Sequence, residues 1–328
     1  MNTLRWDNTA VQAKGIAIIL IVAAHCTPVI NSKNQINQMT QHFLEIVGTF
    51  GIGVFFFFSG LFFYKTKHGF VEFWKRKIKT LLVPWLVCGT FVYLYVYLRK
   101  NQISFISWLE WILGSGTYLY YLSVLVMLYF ILWAAKRHRI LIYLMIVLSI
   151  ISIILTDKTT LLNGINAYLN PFNFLLWFAL GMLFCGKELE LYRLCERTRI
   201  FTIILLFVIV IVFTINGISL SYFKSYYIPL EIIAIWSIFG ISSKKNNRLL
   251  ISLGEISFSI YLLHMPIAGI VSKLIGRIDI CILTLLCPLI VTAITGGFVL
   301  LTMKLCNNRF GDYIKIAIGI RGASEKKY

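Results

Sequence analysis

Long apolar runs, broken by short polar loops, follow one another along the whole chain. Ten runs are long enough, or nearly so, to cross a hydrocarbon core of ~30 Å, which takes about 20 helical residues. They cover residues 11–30, 43–64, 80–98, 117–135, 140–156, 171–185, 200–216, 225–241, 250–272 and 280–303, the sixth being the shortest. The pattern predicts an all-α polytopic integral membrane protein of about ten transmembrane helices. The longest polar stretches, 65–79 and 304–328, are too small to bury a core of their own. The expected organisation is therefore a single membrane-embedded domain over 1–328, with a basic loop at 65–79 and a tail at 304–328.

Composition removes the main soluble readings. Hydrophobic residues make up 59% and charged residues 13%, against about 25% charged in soluble domains, and mean hydropathy is +0.82. A net charge of +18 would suit nucleic acid only if a folded polar face displayed it. Here the basic residues sit in short loops between apolar runs, so no nucleic-acid partner is expected. With the N-terminus in the cytoplasm, each inner loop is richer in Lys and Arg than its outer neighbours. The inner group holds Lys65–Lys79, Lys136–Arg139, Lys187–Arg199, Lys244–Arg248 and the tail. The outer loops keep only scattered cations such as Lys33, Lys100, Lys158 and Lys224. By the positive-inside rule both termini are cytoplasmic, and the expected location is the plasma membrane, with the lipid bilayer as a partner. The first run does not read as a cleaved signal peptide, because it contains Lys14 and no small-x-small site follows. Seven cysteines without a CxxC spacing give no metal or disulfide framework, and no metal is expected.

Lys14 and His25 carry the first chemical signal. Eleven residues of helix make almost three turns, so both side chains leave one face, ~16 Å apart along the axis. A charge at mid-membrane costs ~2.5–3.5 kcal/mol on the gentlest scale, and a lysine near a helix end avoids this by reaching the interface. His25 is placed too deep for that. Depth counting puts His25 and His264 each ~21 Å from the cytoplasmic ends of their helices and Glu231 ~15 Å from its own. Three titratable groups are thus expected in one layer. Glu231 either orients a histidine or pairs with a tyrosine or backbone for structure alone. In the basic loop, Phe70, Phe73 and Trp74 form an apolar side, and Arg76 and Lys79, at i and i+3, share a face suited to phosphates. The competing reading of that cluster is an anchor on anionic lipid. Ser59 and Gly60, just before it, read first as small residues that let helices close up.

The ordered set of Asp7, Lys14 with His25 in AAHC, FFFFSG ending at Gly60, Arg76-x-x-Lys79 before LLVPW, and SIYLLHMPI from Ser259 to Ile267 resembles the acyltransferase 3 family. The likeness is greatest to its fucose 4-O-acetylase-like branch. The resemblance implies transfer of an acyl group, usually acetyl, from cytoplasmic acyl-CoA to a sugar hydroxyl of a surface polysaccharide or its lipid-linked precursor. It implies His25 as the catalytic residue with Lys14 beside it, and supporting places for His264, Glu231 and Tyr261. It implies Arg76, Lys79, Ser59 and Gly60 on the side of acetyl-CoA. One departure stands out: relatives often carry HLWYL where Tyr118–Leu122 reads YLYYL, which bears on acceptor recognition. The rival from another class is a proton-coupled transporter or glycan exporter built on the intramembrane His and Glu residues, against which stands the lack of a visible repeat.

Overall fold

A computed structural model of the protein describes residues 3–26, 34–98, 103–243, 246–306 and 309–320, in which helices joined by loops and turns are present and no strand. In chain order the helices are α1 (Thr3–Ala24), α2 (Gln35–Thr49), α3 (Gly51–Lys65), α4 (Phe70–Lys77) and α5 (Val83–Tyr97). Next come α6 (Phe105–Leu113), α7 (Tyr120–Ala135), α8 (Arg139–Lys158), α9 (Leu175–Phe184) and α10 (Glu188–Ile215). The last are α11 (Tyr227–Ser243), α12 (Arg248–Glu255), α13 (Ser257–Ile278), α14 (Cys281–Leu305) and α15 (Arg309–Ala317). Seven helical stretches are long and apolar enough to cross a membrane: Trp6–Ala24, Gln35–Lys65, Phe70–Tyr97, Arg139–Lys158, Glu188–Ile215, Ser257–Ile278 and Cys281–Leu305. The shorter apolar helices Tyr120–Ala135, Leu175–Phe184 and Tyr227–Ser243 fall on the remaining apolar runs.

α1 is the axis of the bundle and packs against α2, α3, α11, α12, α13 and α14. Small residues let it do so. A Cβ on Gly15 would lie 2.3 Å from the Leu250 carbonyl, and one on Gly254 would lie 1.9 Å from that of Val11, so α1 and α12 meet backbone to backbone. α3 and α9 close on each other in the same reciprocal way through Gly60 and Gly181. Such approach is how apolar helices gain packing where the surrounding solvent is itself apolar. Gln12 then pins α1 to the α11–α12 connection, donating to the Ser242 carbonyl at 2.9 Å and accepting from the Asn247 amide at 2.6 Å.

Two departures from the expected segments bear on the site. The first helix starts at Thr3 and stops at Ala24 instead of running from 11 to 30. Pro28 is the stop signal in the sequence, and residues 27–33 lie outside the described residues. The second departure is α6, in a stretch read as loop. Ser104 and Ser107 build a capping box at its start, which satisfies otherwise unpaired amides. Its tryptophans and that of α5 then lock the two helices together. Trp85 Nε1 donates to the Ile112 carbonyl, Trp108 Nε1 to Thr90 and Trp111 Nε1 to the Gly89 carbonyl, at 3.0–3.1 Å. Gly114, at φ 86°, ends α6 where a Cβ would meet the Tyr120 amide at 2.2 Å. This turn feeds the chain directly into Tyr118.

Candidate functional site

His25 is the first residue beyond α1, in a turn closed by its own amide on the Val22 carbonyl at 3.0 Å and by Cys26 on Ala23 at 3.2 Å. It is therefore not a mid-helix residue, as depth counting placed it. The turn is fixed from behind by α2, whose Gly48 leaves room for Ala24: a Cβ there would sit 2.5 Å from the Ala24 nitrogen. The imidazole is partly exposed and makes no hydrogen bond among the described residues. Its neighbours are rings. The His264 centroid is 5.2 Å away and that of Tyr118 is 6.2 Å away.

α13 supplies the other half of this cluster. His264 is fully buried, and its Nδ1 lies 2.8 Å from the Tyr261 carbonyl and 3.2 Å from that of Ile260. A carbonyl only accepts, so Nδ1 carries the proton and Nε2 keeps a lone pair. That Nε2 is buried with no hydrogen-bond partner among the described residues. Pro266 sits inside α13 and has no N–H for the carbonyl four residues back. The Tyr118 hydroxyl takes that Leu262 carbonyl at 2.9 Å, and the Tyr261 hydroxyl in turn donates to the Tyr118 carbonyl. This reciprocal lock holds Tyr118 as the third corner of a triangle with the two imidazoles, its ring edge-on to His264 at 5.3 Å. Tyr261 continues the aromatic chain to Tyr121 at 5.5 Å, whose hydroxyl lies 3.3 Å from Ser59 on α3.

A cavity of about 260 Å³ opens in front of His25. His25, Tyr118 and Tyr261 form its inner wall, Gly48, Thr49 and Glu45 the α2 side, and Tyr168, Ser221 and Tyr222 the connecting loops. The loop after α10 is held down by Asp157, which accepts from the Ser225 amide and hydroxyl and pairs with Lys224 at 3.0 Å. That hydrogen bond raises the Lys224 ammonium above the usual lysine range.

The opposite, basic end of the bundle is built differently. Lys14 lies over the rings of Phe62 and Phe58 on α3, 4.4 and 5.4 Å from their centroids. α4 lays Phe70, Phe73 and Trp74 on α7, with Trp74 stacked on Phe130 at 4.2 Å. Lys77 belongs to that inward face, over Phe73 and Tyr129 and donating to the Tyr129 hydroxyl at 3.2 Å. Lys136 reaches in from the end of α7, over Phe63 and Trp133 and onto the Thr66 carbonyl. Its partial burial pulls the ammonium below the ordinary lysine range. Arg76 and Lys79 point outward and are exposed, Arg76 pairing with Glu72 at 2.9 Å. Between them and α5 the helix widens into a π turn over Ile78–Leu82. Pro84 explains it, having no N–H for the Thr80 carbonyl.

The residues singled out from sequence thus divide. His25, His264 and Tyr261 come together, with Ser59 at the end of their aromatic chain. Lys14 stays on its own side, ten helical residues before Ala24. Gly60 faces α9, where a Cβ would be 1.9 Å from the Phe178 carbonyl, and so serves helix packing. Glu231 does not join the histidines. Its Oε2 accepts from Tyr227 at 2.7 Å, the same hydroxyl lies 3.0 Å from the Thr49 carbonyl, and Gly53 makes space for its Oε1. The tyrosine pairing is the one of its two readings that the structure contains. Sequence reading missed Lys77, Lys136 and Glu45. Lys77 was detectable, since Phe70, Phe73, Trp74 and Lys77 follow the i, i+3, i+4, i+7 spacing of one helix face.

The fold and site define a multi-pass membrane protein with a paired-histidine centre at one end of a helical bundle and partly buried cations at the other. The family model described as "Acyltransferase domain" (Acyl_transf_3) matches residues 12–303, and the chain belongs to the acyltransferase 3 family. It is a membrane acyltransferase. No curated protein and no solved structure matches the chain.

Proposed function

We propose that the protein transfers an acetyl group from acetyl-CoA to a sugar hydroxyl of a cell-surface polysaccharide or its lipid-linked precursor, with His25 as general base. The observation that carries this reading is the His25 imidazole, opening on a tyrosine-lined cavity with its ring nitrogens unengaged among the described residues. An acceptor hydroxyl seated there gives its proton to His25 while its oxygen attacks the thioester carbonyl. The C–S bond breaks, the proton passes to the departing sulfur, and the products are the sugar ester and free CoA. His264 offers its Nε2 lone pair behind His25, a place to hold or orient the proton between steps.

The donor occupies the basic end. CoA carries several phosphate charges, and Lys14, Lys77 and Lys136 are cations aimed into an aromatic interior there. Arg76 and Lys79 stand on the outer surface of the same end and meet the donor first. The aromatic chain through Ser59, Tyr121 and Tyr261 leads from this end toward His25. With the basic end in the cytoplasm, as loop charge implies, donor and acceptor approach from opposite faces of the plasma membrane.

Purified protein given radiolabelled acetyl-CoA and a panel of methyl glycosides tests the reading. Labelled glycoside and free CoA should form with the wild type and not with His25→Ala. An intact thioester in every condition, with glycoside or protons moved across a sealed vesicle, would establish the transporter reading in its place.

A further inference from the structure

Among the described residues lining the cavity, Glu45 is the one acidic side chain and no lysine or arginine is present. Glu45 is also held in place. Gln41 donates one side-chain amide to Glu45 Oε1 at 2.9 Å and to the Cys26 carbonyl at 3.1 Å, tying the carboxylate to the turn that carries His25. His42 stands 3.7 Å from the other carboxylate oxygen. Lys224, the cation of the overlying loop, is engaged by Asp157. Around this single negative charge are tyrosine rings and hydroxyls: Tyr118, Tyr120, Tyr168, Tyr222 and Tyr261.

From this we infer that the cavity selects an uncharged sugar ring and rejects acidic ones, with Glu45 as the residue that discriminates. The inference rests on the acyltransferase reading for its chemistry, but its binding arm does not. A volume of about 260 Å³ is below the ~300–1,000 Å³ of drug-sized pockets, so it takes one ring and not an oligosaccharide. Tyrosine faces cover the apolar face of a pyranose, and their hydroxyls meet its polar edge. A carboxylate accepts hydrogen bonds from neighbouring sugar hydroxyls, and charge-assisted bonds of this kind are about twice as strong as neutral ones. A uronic or sialic acid would instead bring a second carboxylate against Glu45, with no lysine or arginine among the described residues of the cavity wall to offset it. Glu45 is half exposed, and at a protein surface like charges still repel enough to set a preference of about tenfold.

The test uses matched pairs that differ only at the carboxyl group: methyl glucoside against methyl glucuronide, methyl galactoside against methyl galacturonide. Equilibrium binding of each labelled glycoside to the purified full chain is measured without donor, and transfer from acetyl-CoA is measured in parallel. The neutral member should bind about tenfold tighter in one or more pairs. Glu45→Gln, which keeps a hydrogen-bonding amide without the charge, should shrink that ratio severalfold by improving the acidic member. Equal binding of both members by the wild type, tighter binding of the uronides, or an unchanged ratio in Glu45→Gln would overturn the inference. So would binding of neither. Selective binding without any acetyl transfer would keep this inference and overturn the enzyme reading, and the two are thereby separable.

Discussion

The two ends of the bundle solve opposite problems with similar aromatic material. At the basic end, phenylalanine and tryptophan rings of α3, α4 and α7 sit beneath lysines: Lys14 over Phe62, Lys77 over Phe73, Lys136 over Trp133. Rings without hydroxyls dominate, and their faces hold cations at ~0.5–2 kcal/mol each. At the cavity end the rings are tyrosines, the charge is the carboxylate of Glu45, and the reactive groups are imidazoles. On the proposed reading the first end takes the polyanionic donor and the second a hydroxyl-rich neutral acceptor, so the two ends are separately testable.

The sharpest separation comes from removing the base. General-base help is typically worth about 10²–10⁴ in rate, so His25→Ala should lower kcat by that factor in the radiolabel assay while acyl-CoA binding is retained. A loss of donor binding instead would move His25 to the other side of the comparison.

Next in size are the inward cations. Hydrogen bonds to charged groups contribute about 1.5–3 kcal/mol, so Lys77→Gln and Lys136→Gln should each raise the KM for acetyl-CoA about tenfold with acceptor KM unchanged. The two-substrate kinetics that measure this also place Arg76. Exposed and already paired with Glu72, it makes the weaker kind of surface contact, and Arg76→Gln should change donor KM by about twofold at most. A larger effect from Arg76 than from Lys77 would reverse the assignment of the inner surface.

Smaller still is the effect of Tyr118→Phe, which keeps the ring beside the histidines and removes its hydrogen bond to the Leu262 carbonyl. A net hydrogen bond of about 1 kcal/mol predicts a loss near fivefold in kcat. Tyr118→Ala, which removes the ring that packs on both imidazoles, should cost more.

Much of this architecture is legible in the sequence, because a membrane leaves few options for backbone polar groups. Each of the ten apolar runs holds a helix, and placing His25 and His264 in one layer allowed their approach without specifying it. What escaped the sequence is what depends on ends and partners. α1 was placed too far along the chain because apolarity continues through Val29 and Ile30, while Pro28 carries the actual stop signal. Glu231 was allowed a histidine partner because depth alone does not give azimuth, and Tyr227 one turn earlier on α11 claims it. Tyr118, Tyr120 and Tyr121 were visible only as a departure from HLWYL. Their roles depend on Gly114, on Pro266 across the bundle and on Ser59, none of which a linear reading connects.

On the proposed reading acetyl-CoA works at the basic end and the acceptor at the cavity end. Sealed proteoliposomes test it directly, once the fraction in each orientation is fixed by impermeant thiol labelling of single cysteines introduced at Lys67 and Lys158, in a chain without its native cysteines. Labelled acetyl-CoA is supplied on one side and an impermeant methyl glycoside on the other. The account predicts labelled glycoside only where the donor faces the basic end and the acceptor faces the cavity end. Equal product with both substrates confined to the basic side, or product only with the donor at the cavity end, would contradict it.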